Sequence, residues 1–103
     1  MNICYRGHDI WIELKIVSGR KVDLRPEQVA WHHRRTRAGG VSWIMARDKA
    51  DGVRKGKYDR IYLWPGSAGA AVKMEGIAAK GGTCYESPFE WDTIMSELFE
   101  VIW

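Results

Sequence analysis

This sequence of 103 residues lacks the cysteine spacing of a metal site, the apolar run of a membrane span and the period of a repeat protein. It has two cysteines, Cys4 and Cys84, whose separation matches no metal-ligand spacing, so we expect two reduced thiols that are buried or half-buried. No apolar run approaches the length of a membrane span, and no signal peptide precedes the first predicted strand. There is no internal repeat or low-complexity segment. We therefore expect residues 1–103 to form one cytoplasmic domain without a membrane partner.

Acidic residues are scarce in the first part of the chain. Residues 1–60 carry 14 Lys and Arg against 7 Asp and Glu, whereas residues 61–103 carry 2 against 6. A basic half on a folded domain indicates a polyanionic partner. An ordinary solvated surface gives the same counts, and charge alone does not separate the two interpretations.

The central feature of the sequence is the stretch 9–17, which we predict to be a strand. Its even-numbered positions are apolar and predict a row of core contacts: Ile10, Ile12, Leu14 and Ile16. Its odd-numbered positions place Glu13 and Lys15 together on the other face, roughly 6–7 Å apart. A carboxylate can hold a divalent metal, and an adjacent ammonium can stabilise a phosphate or an attacking water. The pair predicts a site that cleaves phosphodiesters; the alternative is a surface ion pair.

A helix follows this strand. Pro26 suits its first position, and Gly39-Gly40 ends it. Because Arg25 is a poor capping residue, we expect the Gln28 side chain to be free of a capping box and able to point elsewhere; the alternative is a hydrogen bond at the helix terminus. One helix face carries three polar side chains with two more beside it: Gln28, His32 and Arg35, then Arg34 and Arg37. The adjacent His32 and His33 face about 100° apart, which disfavours a zinc site there.

The other predicted elements complete an α/β fold with a central mixed β-sheet flanked by helices. The apolar run 41–46 predicts a buried strand that is parallel to the first because a helix connects them. Further predictions are a short strand at 2–5, a loop at 48–60, a strand at 61–64, a helix at 68–79, and a last helix capped by Ser87-Pro88-Phe89-Glu90. That last helix has an apolar stripe: Phe89, Ile94, Met95, Leu98, Phe99 and Ile102.

These motifs resemble a known family. Glu13-Leu14-Lys15 on a strand, residues 24–28 opening a helix, and Gly39-Gly40 closing it are similar to the PD-(D/E)xK nuclease superfamily. The nearest branch is the small VRR-NUC and Holliday-junction-resolvase-like nucleases, which are often phage-encoded and act in the host cytoplasm. The resemblance implies a restriction-endonuclease-like core and a Mg²⁺- or Mn²⁺-dependent DNA endonuclease, including action on branched or flap structures.

The resemblance also implies roles for individual residues. Glu13 and the Leu14 backbone carbonyl bind the metal, Lys15 orients the attacking water, and Gln28 positions the water or the backbone. Five side chains on and before the helix grip DNA phosphates: Arg25, His32, Arg34, Arg35 and Arg37.

One residue of the family pattern has no counterpart. Relatives carry a metal-binding Asp in a P-D motif on the strand before the E-x-K strand, and residues 1–4 here align just after that position. Asp9 shares a face with Glu13 and is a secondary candidate ligand, but it lies some 13 Å away along an ideal strand. Three interpretations follow: a truncated start, a homodimer or partner chain that supplies the Asp, or a non-catalytic DNA-binding module with the same fold.

Overall fold

The computed structural model describes residues 1–5, 7–50, 56 and 58–99, and within them six strands and three helices. The strands are β1 (Asn2–Tyr5), β2 (His8–Ser18), β3 (Lys21–Val22), β4 (Val41–Asp48), β5 (Arg60–Pro65) and β6 (Thr83–Glu86). The helices are α1 (Pro26–Arg37), α2 (Gly69–Glu75) and α3 (Trp91–Phe99), with 3-10 turns over Gly66–Ala68 and Gly76–Ala78. None of the described helices is long and apolar enough to cross a membrane.

The strands form one mixed sheet in the order β1-β2-β4-β5-β6, and β3 pairs with β2 off this path. Strands β2 and β4 are parallel and are connected by α1, whereas the other pairs are antiparallel. The predicted parallel pairing is therefore confirmed. Glu13 lies opposite Ile44 and Lys15 opposite Ala46, so these four side chains project to the same face of the sheet.

Helices cover both faces of this sheet, and alternation along β4 explains why. Ile44 projects toward α1 and α2, where it packs with Leu24 and with Val72 of α2. The preceding residue, Trp43, projects to the opposite face and packs with Leu98 of α3. Burying a large apolar side chain contributes roughly 1.5–3 kcal/mol to the free energy of folding. Because β4 is apolar on both faces, it stabilises the packing of helices on each side of the sheet. The Trp43 indole also donates to the Leu98 carbonyl (3.2 Å).

The predicted row of core contacts along β2 is wrong at its second half. Leu14 is 53% exposed and Ile16 is 59% exposed. The described residues of α3 pack over the part of the sheet near Ile10 and Ile12, and the buried cluster that they form there does not include Leu14 or Ile16. Beyond it lies an open apolar groove of about 360 Å³, lined by Leu14, Ile16 and Trp91 among others.

The predicted helix at 68–79 is interrupted. Helix α2 ends at Glu75 because Gly76 adopts a φ of 60°, which a residue with a side chain rarely adopts. A Cβ at Gly76 would also overlap the Arg20 carbonyl oxygen, which accepts a hydrogen bond from the Ile77 N–H at 3.0 Å. The chain then forms β6, a strand that the sequence analysis missed.

The predicted capping box before the last helix is also wrong. The Ser87 hydroxyl accepts a hydrogen bond from the Asp59 N–H (3.0 Å), which ties it to the start of β5. Helix α3 instead begins at Trp91, and the Glu90 carbonyl accepts its first backbone hydrogen bonds. In the predicted stripe, Met95 is partly exposed and Ile102 lies outside the described residues. Residues 51–55 and 57 of the predicted loop also lie outside them.

Both cysteines are exposed free thiols, which corrects the expectation of burial. Cys4 lies on β1, at the end of the sheet, and Cys84 lies on β6, at the other end. An edge strand has neighbours on one side, so its side chains are covered less well than those of the central strands.

Candidate active site

Glu13 and Lys15 lie side by side near the middle of β2, on the face that α1 covers. Both are half-buried, and the Glu13 side chain is 22% exposed. They do not form an ion pair with each other, so the alternative of a surface ion pair is not what the structure contains. No described residue pairs with the Lys15 ammonium, which leaves it available to an anion.

Within the part of the chain that the structure describes, no strand pairs with one backbone edge beside Glu13 and Lys15. Pairing with β1 ends at Ile12, whose N–H donates to the Met1 carbonyl (2.6 Å) and whose carbonyl accepts from the Met1 ammonium (2.7 Å). Pairing with β3 begins only at Val17. Among the described residues, positions 13–16 therefore have a strand partner only in β4. Backbone groups alternate in direction along a strand, so the Leu14 carbonyl points to the same open edge as that of Ile12.

His32 faces this site from α1. Its side chain is completely buried, its Nδ1 lies 2.8 Å from Ser42 Oγ, and its Nε2 lies 3.8 Å from Glu13 Oε1. The second distance exceeds that of a hydrogen bond, and Nε2 has no hydrogen-bond partner among the described residues. Gly66 permits this packing, because a Cβ there would overlap Ser42 Oγ. The predicted contact between His32 and DNA is wrong, since a buried ring does not reach a ligand on the surface.

The charge state of His32 follows from its surroundings. Burial lowers the pKa of His32 below its ordinary value, and the nearby positive charge of Arg35 lowers it further. The Glu13 carboxylate acts in the opposite direction and raises this pKa, but it does not cancel the effect of burial. The imidazole is therefore neutral at pH 7, and one of its nitrogens carries a lone pair.

The order Glu13, His32, Ser42 invites comparison with a charge-relay triad, but the geometry does not support a serine nucleophile. Ser42 is only 5% exposed and lies under Gly66. A nucleophile has to reach a reacting atom, and this hydroxyl has no path to one. Its contact with His32 holds the ring in place.

Gln28 makes the hydrogen bond that the sequence analysis gave as its alternative. Its Oε1 accepts from the Arg25 N–H at the start of α1 (3.0 Å), so half of a capping box forms. Arg25 has no side-chain acceptor to complete the reciprocal half. The expected freedom of Gln28 is thus wrong, and a role for it in positioning water remains a prediction.

The predicted phosphate-binding arginines fall into two groups. Arg35 is half-buried: its Nε donates to the Val41 carbonyl (3.0 Å), its Nη2 lies 3.4 Å from the Asp9 carbonyl oxygen, and its guanidinium stands 5.6 Å from the centre of the Trp31 ring. It ties α1 to the starts of β2 and β4, and its contact with DNA stays a prediction. Three arginines remain exposed: Arg25, Arg34 and Arg37.

Asp9 does not join Glu13. The register of β2 against β4 is regular from Ile10 to Ile16, without a bulge that would shorten the strand. Four residues of ideal strand separate the two carboxylates by roughly 13 Å, which is too far for one metal ion. The regular register gives no support to the bulge that Asp9 would need in order to serve as a ligand.

The structure brings together a carboxylate and an imidazole nitrogen, those of Glu13 and His32, and Leu14 follows Glu13 on the same strand. No cluster of three or more His, Cys, Asp or Glu side chains suited to a metal occurs in the described part of the chain. Sequence reasoning did not assign His32 to this site. The available signal was its position four residues after Gln28, but the few apolar residues of α1 did not show which helix face turns inward.

Comparison with known proteins assigns no family. No family model matches the sequence, no curated protein matches it, and no solved structure matches the fold. The assignment supported at this level is an α/β fold with a mixed central sheet and helices on both faces, which carries Glu13, Lys15 and His32 at one site.

Proposed function

We propose that this protein binds DNA and hydrolyses its phosphodiesters with the help of Mg²⁺ or Mn²⁺. One observation carries the proposal: a half-buried carboxylate and an ammonium without an ion-pair partner among the described residues lie on one strand face, beside a backbone edge that no described strand covers. We also propose that the fold is a restriction-endonuclease-like core, as the E-x-K motif implies. The order of strand β2, crossover helix α1 and parallel strand β4 supports this.

The residues present fit a metal ion, although weakly. Glu13 and the Leu14 carbonyl supply the oxygen ligands that Mg²⁺ and Mn²⁺ prefer, and the open edge leaves room for water and substrate. One carboxylate makes a poor cage, so we expect affinity in the millimolar range or weaker. When bound, such an ion lowers the pKa of a coordinated water and neutralises phosphate charge.

Lys15 performs the other part of the chemistry. Its ammonium lies on the Glu13 face and has no ion-pair partner among the described residues. It can therefore orient the attacking water and stabilise the negative charge that develops on the phosphate. Glu13 and Lys15 project from one strand. A metal ion held by Glu13 would therefore place the reacting phosphate next to the Lys15 ammonium.

The exposed arginines of α1 supply affinity for the DNA backbone. Arg34 and Arg37 lie in the last turn of α1, and Arg25 precedes its first turn. Contacts of arginine with phosphates hold any sequence alike. The alternative function is a DNA-binding module that does not cut. It is favoured because Glu13 is the one carboxylate that the described residues place at the site, and a homodimer or partner chain that adds a second carboxylate would restore cleavage.

Calorimetry with Mn²⁺ tests the metal site. We expect weak binding by the wild type, loss of binding in Glu13→Ala, and unchanged binding in the control Glu27→Ala, whose carboxylate is exposed on α1. Identical isotherms for wild type and Glu13→Ala would contradict the proposal.

The salt dependence of DNA binding tests the proposed contacts with phosphates. If about five phosphates are contacted, log K falls against log salt with a slope near −4 to −5, and replacing Arg34 and Arg37 together by Ala flattens the slope by about 2. Lys80→Ala, a change of an exposed cation far along the chain, is the control. DNA binding without any effect of Mn²⁺ on cleavage would favour the non-catalytic module.

A further inference from the structure

We infer that His32 Nε2 is a second side-chain ligand of the metal held by Glu13, and that it gives the site a preference for first-row transition ions such as Mn²⁺ over Mg²⁺. This rests on the proposed function, because it assumes a metal at Glu13. The observation behind it is a fully buried nitrogen without a hydrogen-bond partner among the described residues, aimed at the carboxylate 3.8 Å away.

The separation of the two atoms suits a shared ion after a small movement. Ligand atoms at ~2.0–2.2 Å from one ion lie roughly 3–3.4 Å apart, so the gap has to close by about half an ångström. His32 is fixed by its contact with Ser42, but the Glu13 carboxylate is the end of a flexible, partly exposed side chain. Rotation of Glu13 closes the gap without disturbing the core.

The hydrogen bond on the other side of the ring prepares Nε2 for a metal. If Nδ1 donates its proton to Ser42 Oγ, the lone pair lies on Nε2 and points toward Glu13. Metal-binding histidines usually donate their second nitrogen to a protein oxygen in this way, which fixes the ring and the tautomer.

The opposite tautomer gives the competing explanation. In that form Nε2 carries a proton that faces the Glu13 carboxylate, and the pair contributes to stability alone. A purely structural pair has no reason to distinguish one divalent ion from another. An imidazole ligand does distinguish them, because imidazole nitrogen binds first-row transition ions, Zn²⁺ and Co²⁺ more strongly than Mn²⁺, whereas Mg²⁺ prefers oxygen.

The test combines spectroscopy on the wild-type protein with two variants. Pulsed electron paramagnetic resonance of bound Mn²⁺ detects coupling to a ligand nitrogen, and competition with Mg²⁺ measures the preference. We expect nitrogen coupling and at least tenfold tighter binding of Mn²⁺ than of Mg²⁺. His32→Gln should lose both while retaining weak binding through Glu13. His33→Gln changes the exposed neighbour on α1 and should behave as the wild type.

The outcomes separate the inference from the proposal beneath it. Mn²⁺ bound without nitrogen coupling, or bound equally by wild type and His32→Gln, overturns the role of His32 and leaves the Glu13 site intact. Coupling that persists in His32→Gln also overturns it, because the nitrogen then comes from elsewhere. Failure of the wild type to bind any of these ions refutes the metal site as a whole.

Discussion

An aspartate added directly before Met1 would stand opposite Glu13 on the neighbouring strand. Asn2 pairs with Trp11, and Met1 exchanges both backbone hydrogen bonds with Ile12. The next residue outward therefore pairs with Glu13 in a position without direct hydrogen bonds, where side chains approach most closely. Their Cβ atoms would lie about 4.5–5.5 Å apart on one face.

Such an aspartate would give the site a second carboxylate. Two acidic oxygen ligands hold a divalent ion more tightly than one, and they hold it against the phosphate that is to be cleaved. We predict that the extension raises the rate of DNA cleavage by at least ~100-fold, which corresponds to roughly 2.7 kcal/mol of barrier. Binding of Mn²⁺ should tighten in parallel.

The assay compares two extended proteins, one with Pro-Asp and one with Pro-Asn ahead of Met1, in nicking of supercoiled DNA. The added Asp and Asn differ by one heavy atom with its hydrogens and by one charge, so strand pairing is the same in both proteins. Glu13→Ala or Lys15→Ala in the extended protein should abolish the gain. Equal rates with Asp and Asn would refute the register argument, and brisk cutting by the chain without an extension would refute the need for a second carboxylate.

Two further predictions concern stability. Gly66→Ala should lower the free energy of unfolding, measured in urea, by about 1–3 kcal/mol, because the added Cβ overlaps Ser42 Oγ. Gly69→Ala in α2 should instead raise the free energy of unfolding by about 0.4–1 kcal/mol, because the nearest atoms to the added Cβ lie at 3.7 Å. Hydrogen bonds from the Ala50 N–H and then from Arg47 lower the pKa of Asp59, so its contribution is present above about pH 4 and is lost as the pH falls further. Asp59→Asn should reduce this acid sensitivity, with exposed Asp92→Asn as the control.

The strand-helix-strand core followed from sequence because its signals are local. Apolar alternation placed β2, Pro26 and Gly39-Gly40 bounded α1, and the connecting helix required a parallel β4. The shared face of Glu13 and Lys15 followed from the same alternation. These features depend on chain geometry over a few residues, and no distant contact overrode them.

The sequence-based predictions of burial were wrong where contacts between distant parts of the chain determine which side chains are covered. Leu14 and Ile16 have the pattern of core residues, but whether a strand face is covered depends on where α3, far along the chain, packs on the sheet. The inward turn of His32 depends on Ser42 of β4 and on the close approach of Gly66. Helical periodicity shows which side chains of α1 share a face. It does not show which face packs against the sheet when the faces of a helix are mostly polar.

The tryptophans beside the site supply an optical reporter that needs no label. The rings of Trp11 and Trp31 have centres 5.3 Å apart, and the Trp31 ring meets the His32 imidazole edge-on at 5.1 Å. Indole fluorescence is quenched by paramagnetic ions and responds to the polarity of its surroundings. Emission from this pair, isolated by comparison with a Trp31→Phe protein, should therefore follow events at the Glu13–His32 site in real time.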